Sequence, residues 1–141
     1  MTFTTQLRNE HDLLLAQVEE LETLGSGDFL NDFTQIFVVL GRFTQLLQIH
    51  LLREDSVLYP VMVTSADNRA ATVAAAFQFE LGALDKWVEA FESRWTGAAI
   101  SSEWSTFCEE LQDLLAAVRL RIERENDELY PLFEAETLML A

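Results

Sequence analysis

HLLREDSVLYP, residues 50–60, returns without a gap as RIERENDELYP, residues 121–131. Arg, Glu, Leu, Tyr and Pro recur at five of the eleven positions. A repeat of this kind late in each half divides the chain into two tandem helix hairpins, about residues 3–64 and 68–138. Outward from the repeat, apolar residues recur at alternating spacings of three and four, the signature of a helix with one buried stripe. The stripe ahead of the first copy reads Phe33, Ile36, Leu40, Phe43, Leu47, and it is expected to continue through His50 and Glu54 to Val57 and Val61. Ahead of the second copy it reads Trp104, Phe107, Leu111, Leu114, Val118, then Arg121, Glu125 and Leu129. Two further stripes, Leu7 to Leu21 and Val73 to Trp95, supply the partner of each.

Three breaker clusters separate the stripes: Gly25–Asp28, Ser65–Asn68 and Gly97–Ser102. Asp28, Asp67 or Asn68, and Ser101 are the expected N-caps, because their side-chain oxygens accept from the free N–H groups of a first helical turn. Short connections make neighbouring helices antiparallel, so the expected fold is all-α, an up-down-up-down antiparallel four-helix bundle. At 141 residues, half of them hydrophobic, the chain fits one domain over residues 1–141 with a core of its own. Gly82, inside the third stripe, is expected to cost helix stability and to allow close helix approach.

The net charge of −15 argues against nucleic acid, whose binding rests on Lys and Arg contacts to phosphate, and against anionic membrane surfaces. The N-terminus lacks the basic and apolar regions of a signal peptide, and the apolar runs are broken or short, so no membrane partner and a cytoplasmic location are expected. The single cysteine, Cys108, is expected to pack as a small apolar side chain.

The residues that interrupt the stripes carry the chemistry. His11, His50, Glu54, Arg121 and Glu125 all fall at inward positions. A polar group facing a bundle core costs about 1–3 kcal/mol unless it finds a partner, and a charge costs more. His50 and Glu54 stand ten and six residues before Pro60, and Arg121 and Glu125 stand ten and six before Pro131. Helices two and four run the same way, so the pairs share a layer. His11, near the start of the opposed first helix, meets that layer. Five polar residues at one depth imply a shared polar site.

His-x-x-x-Glu followed by Leu58-Tyr59-Pro60, its second copy, and an early Glu10-His11 together resemble the hemerythrin-like (HHE) domains, over essentially the whole chain. The resemblance implies a non-haem di-iron centre inside the bundle, with His and carboxylate ligands, and binding or sensing of oxygen, nitric oxide or iron. By position His11, His50, Glu54 and Glu125 match family ligands. The fourth-helix histidine of the family, however, is Arg121 here. Helix three has no histidine, and Leu81 aligns opposite His11. With two histidines in the chain, a full histidine-rich di-iron site is excluded.

The leading expectation is therefore a site with no cofactor, in which Arg121 bridges Glu54 and Glu125 beside His50. The contrasting arrangement has Arg121 reaching solvent along its own helix. The alternative cofactor is iron, as a single ion or an incomplete pair, because two histidines and a carboxylate suffice for mononuclear iron. Glu80 is a candidate extra carboxylate, with Asp85 next to consider. Tyr59 and Tyr130 are expected to place their hydroxyls at the bundle end, and Pro60 and Pro131 to kink or end their helices and open a mouth over the site.

Three functions are compatible with these residues: a regulatory or protein-binding module with a degenerate metal site, an iron-based sensor or carrier, or an anti-sigma-type transcription regulator. None is an enzyme, since no catalytic arrangement or phosphate-binding loop is present. A protein partner is expected, and Phe29, Trp87 and Trp95 are aromatic residues on which a homodimer could form.

Overall fold

The computed structural model describes residues 2–140, and among them every regular element is helical. Helix α1 spans Phe3–Gly25, with the Thr2 hydroxyl accepting from Thr5 N–H at 3.1 Å. α2 spans Phe29–Arg53 and runs through a π-turn, Glu54–Leu58, into α3, Tyr59–Val63. α4 is Asn68–Leu81, capped by the Asp67 carboxylate on Arg69 N–H at 2.9 Å, and α5 is Leu84–Arg94. A short α6, Gly97–Ser102, precedes α7, Trp104–Arg124, which passes through a second π-turn, Glu125–Leu129, into α8, Tyr130–Leu140.

These pieces form the four rods of an all-α bundle. α1 packs on α2 and α7, α5 packs on the same two helices, and α3 packs on α4. The stretch Asp32–Val63 is long and apolar enough to cross a membrane by length and composition. Its buried residues Phe43, Leu47 and Leu51 are core of the bundle.

The two π-turns displace the expected register. In each, the tyrosine N–H reaches back five residues, Tyr59 to the Glu54 carbonyl and Tyr130 to that of Glu125. A proline ring clashes with the carbonyl four residues before it, and widening the preceding turn moves that carbonyl aside. The helices therefore continue through Pro60 and Pro131 instead of ending. One extra residue per turn also rotates the helix beyond it. Val57 and Val61, expected on the buried stripe, are 44% and 38% exposed, while Leu58 and Met62 are fully buried in their place.

The third rod breaks where a continuous helix was expected. Gly82 closes on α4 so tightly that a Cβ would lie 2.3 Å from the Gln78 carbonyl oxygen. Gly97–Ser102, expected to be a loop, is a helical turn: the Thr96 hydroxyl caps it at Ala99 N–H, and Ile100 anchors it in the core. Ser101 thus lies inside α6 and Glu103 precedes α7. Trp95 is buried with its indole N–H on Glu110 at 2.7 Å, which removes it from the expected aromatic surface. Trp87 keeps 42% exposure, and Cys108 is half-buried against the core.

The apolar interior forms two clusters. One runs from Leu14 through Phe43 and Phe107 to Ile122, and the other joins Leu7, Leu58, Met62, Phe77 and Phe133. Between Leu7 and Leu14 on α1 lies His11, and the layer at its depth is polar.

Candidate metal centre

His11, His50, Glu54, Arg121 and Glu125 meet in that layer, each 0–2% exposed. α1 delivers His11, α2 delivers His50 at its last turn, and α7 delivers Arg121. Glu54 and Glu125 each open a π-turn. One ligand atom from each of His11, His50, Glu54 and Glu125 lies within 4.8 Å of all the others. Glu80 is not among them: it is exposed on α4 and pairs with Arg124, and Asp85 is exposed as well.

Arg121 does not reach solvent. Its Nε donates to Glu125 Oε2, one terminal nitrogen donates to Glu54 Oε1, and the other donates to the Leu81 carbonyl, each at 3.1 Å. Leu81 ends α4, and terminal helix carbonyls lack partners within their own helix. The break at Gly82 thus provides an acceptor on the rod that carries no histidine. Burial works against the guanidinium's charge, but Glu125 and Glu54 outweigh it and hold its pKa above the ordinary arginine value.

The tyrosines lie where the sequence did not put them. Tyr59 donates to Glu125 Oε2 at 2.9 Å and Tyr130 to Glu54 Oε2 at 2.6 Å. Their hydroxyls enter the site, so the turns before the prolines bring in two phenols. Burial, reinforced by the neighbouring carboxylates, raises both phenol pKa values, which keeps them as donors. The Glu125 carboxyl is also raised, by burial first and then by Glu54, with Arg121 opposing.

The imidazoles are oriented from behind. His50 Nδ1 lies 2.8 Å from Glu10 Oε1, and the other Glu10 oxygen is paired with Arg53. His11 Nδ1 lies 2.7 Å from Asn126 Oδ1. Both Nε2 atoms then point inward, 3.0 Å apart. Burial, with His11 and Arg121 adding to it, lowers the His50 pKa from 6.5 to about 3, so His50 is neutral at physiological pH. Glu10, Asn126 and the two hydroxyls were missed by stripe reading. The one sequence signal for them was adjacency, Glu10 beside His11 and Tyr beside Pro in both copies.

Whether these residues fit a metal is decided by two features. Glu125 Oε1 is buried, meets no hydrogen-bond donor among the described residues, and lies 3.2 Å from His11 Nε2. Each imidazole has its outer Nδ1 against an oxygen, Glu10 Oε1 for His50 and Asn126 Oδ1 for His11, and its Nε2 turned inward, the arrangement that orients metal-ligating histidines. One ion fits this donor set. Two do not, because the guanidinium already lies across both carboxylates as the second cation. The expectation of a site without any metal is not supported by this geometry.

Fold and site define a class: a four-helix bundle with a buried histidine–carboxylate cluster able to hold a metal. The family model of the hemerythrin HHE cation-binding domain matches residues 2–133, and the chain belongs to that family. No curated protein and no solved structure matches the chain.

Proposed function

We propose that this hemerythrin-like domain binds one divalent transition-metal ion, iron by the nature of its donors, and acts as a regulatory module rather than an enzyme. The observation that carries this is the convergence of one ligand atom each from His11, His50, Glu54 and Glu125 within 4.8 Å, with Arg121 buried across both carboxylates. His11 and His50 would hold the ion with Glu125 and Glu54, and imidazole and carboxylate suit ferrous iron. Such an ion, when bound, would supply the chemistry for binding a small ligand such as dioxygen or nitric oxide.

The protein's own part is electrostatic and positional. Two carboxylates and one guanidinium leave the centre with a net negative charge, which attracts one divalent ion and disfavours a second. Glu10 and Asn126 hold the rings in place, and Tyr59 and Tyr130 fix the far oxygens of Glu125 and Glu54. Occupancy of the centre would then tighten α1, α2 and α7 around it, a change that a protein partner could read on the bundle surface.

The alternative is a metal-free regulatory module, in which the bonds of Arg121 to Glu54 and Glu125 neutralise part of the site with no ion present. Metal counted per chain, after anaerobic purification of the full chain with ferrous iron, separates the two. About one iron, lost in His50→Ala, supports the single-ion centre. Two irons refute the blocking role of Arg121, and fewer than about a tenth refutes metal binding in favour of the second reading.

A further inference from the structure

The two histidines are held by chemically different partners. Behind His50 stands Glu10, a carboxylate that pairs with Arg53 and can only accept. His50 therefore keeps its proton on Nδ1 and its lone pair on Nε2. Behind His11 stands Asn126, whose amide presents an oxygen on one side and an NH2 on the other. The two orientations are nearly isosteric, so the same 2.7 Å contact accommodates an acceptor or a donor.

With Oδ1 toward the ring, His11 carries its proton on Nδ1, and its Nε2 lone pair faces that of His50 at 3.0 Å. Two lone pairs at that distance repel unless a metal ion takes both. With the amide turned over, Nδ2–H donates to His11 Nδ1, the ring proton moves to Nε2, and Nε2–H donates to His50 Nε2 across the same 3.0 Å, with Glu125 Oε1 at 3.2 Å as a second acceptor. The first arrangement offers a ligand and the second withdraws it, with little movement of heavy atoms. Asn126 lies in the π-turn opened by Glu125, half-buried, and its own carbonyl accepts from Arg8 at 3.4 Å. The side-chain amide thus turns on a backbone that stays anchored.

We propose that Asn126 is a positioning residue that selects the tautomer of His11, turning one face to the ring when a metal ion is held and the other when the centre is empty. This rests on the single-ion reading above for its purpose, but its test in the metal-free protein does not. An Asp at this position can only accept when ionised, so it locks His11 in the ligand-ready form, whereas a Leu orients neither tautomer.

The experiment is nitrogen-15 NMR of the imidazoles in the full chain, first stripped of metal by chelation and then titrated with Zn2+ as a diamagnetic probe. In the stripped parent, His11 is expected to be bare at Nδ1 and protonated at Nε2, and Zn2+ should move the proton to Nδ1. In stripped Asn126→Asp, Nδ1 should be protonated before any metal is added. Zn2+ should bind Asn126→Asp more tightly than the parent, and Asn126→Leu more weakly by about 10-fold or more. The same His11 tautomer in stripped parent and stripped Asn126→Asp overturns the proposal. Failure of Zn2+ to bind the parent refutes the single-ion reading instead, and leaves the metal-free comparison to decide the role of Asn126.

Discussion

Arg121→Met tests the centre most directly, because methionine keeps an unbranched apolar stem and removes the charge and the donors. Three hydrogen bonds of 3.1 Å disappear, and Glu54 and Glu125, both 0% exposed, are left as two like charges in one layer. Breaking a buried ion pair on one side costs about 3–5 kcal/mol. Two carboxylates sharing one guanidinium place the expected loss in the upper part of that range. Tyr59 and Tyr130 still donate to one oxygen of each, which limits it. A loss of that size is a large share of the roughly 5–15 kcal/mol that holds a domain together. The variant has one route of relief, protonation of Glu125, whose carboxyl burial already pushes upward. A carboxyl that holds its proton more tightly folded than unfolded adds stability as pH falls. The gap between parent and variant should therefore narrow from pH 7 to pH 5. Urea unfolding followed by helical circular dichroism at both values measures this in metal-free protein. A loss below about 1 kcal/mol, unchanged between the two pH values, would refute the buried-network reasoning.

The same geometry sets other outcomes. His50 has its pKa lowered to about 3 in the folded chain against 6.5 unfolded, so the unfolded state takes up the proton first. Stability should fall as pH drops below 6.5, by about 2 kcal/mol at pH 5, and that slope should vanish in metal-free His50→Gln when unfolding is repeated across the range. Tyr130→Phe removes a 2.6 Å donor from the buried Glu54 and should cost about 1.5–3 kcal/mol in urea unfolding, with no change in helix content. Glu80→Ala should change neither iron content nor stability by more than about 0.5 kcal/mol, because its pair with Arg124 is exposed. A loss of iron in that variant would return Glu80 to the site.

The parts of this molecule legible in its sequence are those in which a side chain contradicts its position. His11, His50, Glu54, Arg121 and Glu125 stand on apolar stripes, so their burial together could be expected from spacing alone. Arg121 in place of a histidine was readable in the repeat for the same reason. The features that escaped have a different origin. Val57 and Val61 were assigned to the core on an α-helical period, and the π-turn before Pro60 adds one residue that the period does not contain. The break at Gly82 hid behind a stripe that continues on both sides of it. Its product, the Leu81 carbonyl that accepts from Arg121, is a backbone atom that no residue pattern names. Glu10 and Asn126 act on the far nitrogens of the histidines, where stripe positions reveal only neighbours of a ligand.

The exchange of phenols between the repeats reaches beyond the centre itself. Tyr59 of the first hairpin satisfies Glu125 of the second, while Tyr130 of the second satisfies Glu54 of the first. Each phenol serves the buried carboxylate of the other hairpin, so separating the halves takes one donor from each carboxylate. In the joined chain the same reciprocity is expected to couple the two halves into a single cooperative unfolding unit, with the ligand layer as the interlock.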